Sequence, residues 1–219
     1  FKIQMRLSLI FIFILGFNIA YPQSTKETEQ LLKKLSSAKD TVKVNALNSL
    51  AWHLRRSNPP KALSYANEAL ALAHSLEHKP GQAKANKNIG SINWISGNYD
   101  RSLENIKIAL KLYSELKDQT EIGNMYNLSG LVYWNKGDYT KAENNYSHAL
   151  NTFKSIHDTD GIAKAIVNLG ILNFEQGDLK SAFEHYMEAE KIKIKQDDKI
   201  FLANISTNIG IIYSKQQNY

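Results

Sequence analysis

The chain has 219 residues, with 27 Lys and Arg against 21 Asp and Glu, and no cysteine. The absent thiols exclude disulfides, thiolate metal sites and cysteine nucleophiles. The net charge of +6 is spread through mixed Lys/Glu surfaces such as Glu115-Leu-Lys117 and Glu188-Ala-Glu190-Lys191, so there is no basic block of the kind that grips a polyanion.

Lys2 and Arg6 precede an apolar run over 7–20, and Tyr21, Pro22, Gln23 and Ser24 follow it. A charged start, a short apolar stretch and then small or polar residues predict a signal peptide over 1–20, or an N-terminal anchor, with export as the consequence. A spanning helix needs about 20 apolar residues, and this run falls short. Met5 is the expected translation start. Ser24-Thr-Lys-Glu27 has capping-box spacing and predicts a capping helix over 24–40, with Leu31, Leu32 and Leu35 on one face. Asp40 is expected to cap the next helix.

From residue 41 onward the chain repeats itself. Gly97-Asn98-Tyr99, Gly137-Asp138-Tyr139, Gly177-Asp178-Leu179 and a degraded Gln217-Asn218-Tyr219 recur in steps of 40. Seven residues earlier in each unit stand Gly90, Gly130, Gly170 and Gly210, and two combs of small residues keep the register: Ser102/Ala142/Ala182 and Ala69/Ala109/Ala149/Ala189. A fixed period of this length is the mark of a repeat array. Glycine ends a helix in the left-handed conformation, and Asn or Asp caps the next through its side-chain oxygen. Each unit is therefore a helix–turn–helix hairpin. Gly130 inside its first helix costs about 1 kcal/mol relative to Ala, which predicts a tight crossing against Ala142 and Ala149.

The units read 41–81, 82–120, 121–160, 161–198 and a truncated 199–219. The first departs from the pattern: Leu50-Ala51 replaces Ile/Leu-Gly, and its turn is Ser57-Asn58-Pro59-Pro60, where Asn58 caps and Pro59 takes the first helical position. The last is expected to leave Ile205, Ile209 and Ile212 without a second helix, so the sequence reads as a fragment.

Leu/Ile-Gly-x-x-Tyr, then Gly-Asp/Asn-Tyr, then two spaced alanines, resembles the tetratricopeptide repeat. That repeat is usually about 34 residues long, and this one resembles its 40-residue variant. The resemblance implies an all-α, right-handed superhelical solenoid of stacked antiparallel helix pairs, in which first helices line a concave groove. It implies no particular ligand, because one fold hosts many partners.

Chemical motifs are sparse. His74-Ser-Leu-Glu-His78 matches H-x-x-E-H, but Lys79-Pro80-Gly81 breaks the helix at once, leaving a zinc-dependent hydrolase as a remote alternative. The glycines are singletons, so no phosphate loop is present. No serine sits in a nucleophile elbow, and no catalytic residue, metal or cofactor is expected. Asn127, Asn145 and Asn204 head Asn-x-Ser triplets, yet all lie on predicted helices and read as chance matches.

The predicted groove set lies on the first helices: Lys84, Lys87, Asn88 and Ser91; Asn124, Asn127 and Leu131; Lys164, Asn168 and Ile171; Asn204, Asn208 and Ile211. Leu128 interrupts the Asn88/Asn168/Asn208 series. Trp94, Trp134 and Phe174 form an aromatic stripe read as packing between repeats. Asn and Lys at such positions are expected to hold a peptide backbone and an acidic group, so the partner is a protein or peptide on the concave face and not nucleic acid. With the predicted signal, the chain resembles the exported sensory region of bacterial signalling proteins of the histidine kinase or helix-turn-helix regulator type. Contact with a membrane is expected only through the N-terminal segment or a downstream helix. A free-standing exported scaffold is the alternative.

Overall fold

Side-chain caps and left-handed residues alternate along the chain and cut it into short helices. The computed structural model describes residues 21–217, so the predicted signal over 1–20 lies outside the described residues. Ten helices are described: α1 (Tyr21–Ser37), α2 (Asp40–Leu54), α3 (Pro59–Ser75), α4 (Lys79–Ile95), α5 (Tyr99–Leu116), α6 (Gln119–Lys136), α7 (Tyr139–Ser155), α8 (Thr159–Gln176), α9 (Leu179–Ile194) and α10 (Lys199–Gln217). Each packs on its sequence neighbours, and α2, α4, α6 and α8 also touch one another. The chain is all-α, built of antiparallel pairs stacked as a solenoid. The first helices of the pairs form its tighter layer.

The turns explain the boundaries. Gly97, Gly137 and Gly177 end the first helices with φ of 77°, 79° and 88°. Asp138 and Asp178 then accept bonds from the backbone N–H of Lys141 and Ser181, and Asn58 accepts one from Lys61. Such caps contribute about 1 kcal/mol each. Asn98 makes no side-chain cap bond, so the Gly-Asn turn is weaker than expected. The turns between repeats use a device the sequence does not advertise. Glu77, Lys117, His157 and Asp197, again 40 apart, adopt φ of 49–55° without being glycine. The following N–H reaches back to a carbonyl five residues earlier, as from Asp118 to Tyr113 and Asp158 to Phe153, which offsets the left-handed strain.

Four expectations need correction. Helix α1 begins at Tyr21, so Ser24 is inside it and does not open it. Asp40 does not cap α2: Lys39 holds that position without a side-chain bond, and Asp40 opens the helix at φ 48°. Gly130 faces the Tyr146 ring, which a side chain at 130 would overlap, and not Ala142 or Ala149. Ile205 and Ile212 are buried, because they pack back onto α9 and α8, and Ile209 is half-buried. In general the first helices bury one face against the helix before and another against the helix after. An α10 with only its preceding neighbours still buries half its apolar residues.

Between repeats, bulk is traded across the interface. Phe153 is buried in a slot made by Gly123 and Gly161. Forty residues on, Lys193 stands at the Phe153 position and Phe201 at the Gly161 position. The Lys193 side chain is 4% exposed. Its ammonium lies 4.8 Å from the Phe201 ring centroid and donates to Asp160 at 2.5 Å and to Asp198 at 3.2 Å. Burial lowers the Lys193 pKa, but the two carboxylate bonds outweigh it and raise the value. Hydrogen bonding to Lys193 holds Asp160 below the usual range, and the Phe201 N–H together with Lys193 does the same for Asp198.

Two outcomes follow from these contacts. Gly130→Ala is expected to destabilise by about 1–3 kcal/mol, through overlap with the Tyr146 ring. Gly210→Ala meets nothing within 4 Å among the described residues and is expected to stabilise by up to about 1 kcal/mol through helix propensity; chemical denaturation of both variants checks the contrast. The lowered Asp160 and Asp198 values contribute stability above the ordinary 3.8 that is lost as pH falls through the folded values. The raised Lys193 value contributes below 10.5 and is lost at higher pH. Acid therefore leaves a buried ammonium unpaired, so melting of Lys193→Met relative to the parent is expected to improve between pH 7 and about pH 3.

Candidate ligand groove

The groove surface is set by the 3.6-residue period of the first helices, which brings every third or fourth residue to one face. Lys84 and Lys87 of α4 are half-buried, as are Asn124 and Asn127 of α6. Lys164 of α8 and Asn204 of α10 are exposed, and Asn208 is half-buried. Asn88 and Asn168 are buried.

Four of these side chains join a network with Glu121, which the sequence reading did not single out. Lys87 Nζ donates to Glu121 Oε1 at 2.6 Å, and Asn124 Nδ2 donates to Glu121 Oε2 at 3.2 Å. Burial, then the neighbouring Lys87 ammonium, holds Lys84 below the usual lysine value, while Glu121 pulls it the other way. One carboxylate thus serves two ammonium groups, and the surplus at Lys84 and Lys87 is positive. Trp52 stands beside them, with the Arg55 guanidinium 3.5 Å and the Lys87 ammonium 5.5 Å from its ring centroid. Burial and Arg56 push the Arg55 pKa down to about 10.

The buried asparagines do different work. Asn88 Nδ2 donates to the backbone oxygen and the Oδ1 of Asn48, at 2.9 and 3.0 Å, and Asn48 donates to the Gly81 carbonyl at 3.3 Å. Asn168 Nδ2 donates to Asn127 Oδ1 at 3.2 Å. These bonds tie α2 to α4 and α6 to α8. Because Leu128 occupies the register position in the third repeat, Asn168 pairs one residue away, with Asn127. Asn48, Glu121, Trp52 and Arg55 escaped notice because none recurs at the period that located the others.

The remaining motifs disperse. Helix α3 ends at Ser75, His78 opens α4 and Glu77 lies in the turn between them. His74 and His78 thus sit on different elements, and among the described residues no group of three His, Asp or Glu could hold a metal ion. Trp94, Trp134 and Phe174 join the apolar clusters between repeats. Asn127, Asn145 and Asn204 are all within helices. The described residues contain no helix long and apolar enough to cross a membrane.

Solved structures share this architecture. BtubC (BKLC) from P. vanneervenii superposes with a TM-score of 0.70 at 20% identity, over 88% of this chain and 81% of that one. A Rap protein complexed with competence and sporulation factor gives 0.77 at 17% identity, over 95% and 63%. Aspartyl phosphate phosphatase F from Bacillus subtilis gives 0.79 at 14%, over 99% and 60%. The chain thus spans less than two thirds of the latter two, and at such identities the likeness is one of fold. No curated protein matches the sequence. The tetratricopeptide repeat model matches it twice, over 81–155 and 121–195. Those overlapping matches cover more than half of the sequence, and with the stacked hairpins they make the chain a member of the tetratricopeptide repeat family.

Proposed function

We propose that the chain is a non-catalytic module that binds an extended peptide or protein segment on its inner face. It serves, in this reading, as the N-terminal sensory part of a larger bacterial signal-transduction protein, exported or membrane-attached through the segment over 1–20. The observation that carries the binding assignment is the grouping of Lys84 and Lys87 on α4 with Asn124 on α6 around one carboxylate. Amide groups match a peptide backbone, which both donates and accepts, and the surplus ammonium matches an acidic group. The paired state of Glu121 speaks for positioning and against proton transfer. Among proteins of this fold, a Rap protein is complexed with competence and sporulation factor, and a STAND protein from Pyrococcus horikoshii carries a tetratricopeptide repeat sensor, over 92% of this chain at 15% identity. Both support a sensory reading.

Asn88 and Asn168 hold repeats together, so the variants that test the groove are Lys84→Ala and Lys164→Ala, neither of which makes a structural bond of that kind. A peptide enriched by phage display is titrated against both and against Lys111→Ala, on the exposed side of α5. Each groove variant is expected to weaken binding about tenfold, ~1.4 kcal/mol, and Lys111→Ala to leave it unchanged. Binding is also expected to weaken with added salt, as exposed charge pairs do. Retention in both groove variants with loss in Lys111→Ala would move the site to the outer face.

A further inference from the structure

The glycine comb has one bare tooth. Gly90, Gly130 and Gly170 each lie against a side chain of the helix that follows, Ile106, Tyr146 and Tyr186 respectively. Gly210 holds the same position on α10, and a side chain built there meets nothing within 4 Å among the described residues. Around it Ala203, Ser206 and Thr207 are exposed, whereas their counterparts on α8, Ala163, Ile166 and Val167, are buried. Tyr213 is 51% exposed and meets the Phe183 ring of α9 edge-on, with centroids 5.9 Å apart. Phe183 and Met187 line a shallow depression on the same side. The bare face continues an interface formed three times earlier in the chain, between α4 and α5, α6 and α7, and α8 and α9.

We propose that this face docks one amphipathic α-helix of a protein partner, antiparallel to α10, whose contacting positions read Ala-x3-bulky apolar-x2-Ala. The pattern is dictated by the three occupied copies. Ala142, Tyr146 and Ala149, then Ala182, Tyr186 and Ala189, set small residues on either side of the ring that covers the glycine, and Ser102, Ile106 and Ala109 do so with an aliphatic side chain. Small flanks allow the close approach, and the bulky residue fills the space above Gly210. A second copy of the chain does not fit. Its terminal helix α1 lies one period before α3, and there Pro22, Lys26 and Glu29 stand where Ala62, Ala66 and Ala69 stand in α3. Docking α1 would set a lysine against Gly210.

The probe is a synthetic peptide with the sequence of α7, Tyr139–Ser155, titrated into the whole chain by calorimetry and circular dichroism. Saturable one-to-one binding with a gain of helicity is expected. Gly210→Leu in the chain and Tyr146→Ala in the peptide should each weaken binding about tenfold or more, and His148→Ala in the peptide should leave it unchanged. Because the space over Gly210 is open, Gly210→Leu is expected to melt no lower than the parent, which separates loss of docking from loss of fold. Absence of saturable binding, or binding indifferent to Gly210→Leu, would overturn the proposal. A dimer of the chain that Gly210→Leu abolishes would overturn it too, by making a second copy the occupant.

Discussion

A ring laid over a glycine is the contact on which the array depends. Tyr146 over Gly130 and Tyr186 over Gly170 bring the two helices of a hairpin so close that no side chain fits between. A mid-helix glycine costs about 1 kcal/mol in propensity. Burial of a tyrosine ring to 2% exposure returns more than that. Since each hairpin hides only one side of its apolar stripe, the rest must be covered by the neighbouring hairpin. The period of 40 is therefore a packing constraint, and it holds for caps, glycines and alanines together.

Between hairpins the constraint is looser, and bulk is exchanged. Phe153 fills the space left by Gly123 and Gly161, while one repeat later Phe201 supplies the bulk and Lys193 lays its stem beside the ring. Only the summed volume and the satisfaction of polar atoms matter at such a site. That is why a lysine can stand where its counterparts are Ala73, Tyr113 and Phe153, provided two carboxylates meet its ammonium. The Asn48–Asn88 and Asn127–Asn168 bonds follow the same logic in the inner layer: a buried amide must find a partner, and the nearest partner is the amide of the adjacent repeat. Asparagine on a first helix thus has two uses, and burial separates them. Asn88 and Asn168 are committed to the scaffold, while Asn124 is held at the surface by Glu121 beside the unneutralised charge of Lys84 and Lys87.

What the sequence by itself determined is everything that recurs. Gly97, Gly137 and Gly177 need a left-handed backbone, Asp138 and Asp178 need a free N–H to cap, and the small residues at 142, 149, 182 and 189 need a close neighbour. These demands are local or periodic, so the all-α stacked-hairpin fold was legible before any coordinates. What only the tertiary structure decided is what each face meets. The left-handed turns at Glu77, Lys117, His157 and Asp197 carry no glycine to announce them, because their strain is offset by backbone bonds reaching five residues back. The partner of Gly130 proved to be a ring 16 residues on and not the alanines, since a bulky side chain can reach into a gap that small residues only border. Glu121 joined the groove because the stacking of α4 on α6 carried Lys87 within 2.6 Å of it, across a separation of 34 residues that no helical period contains.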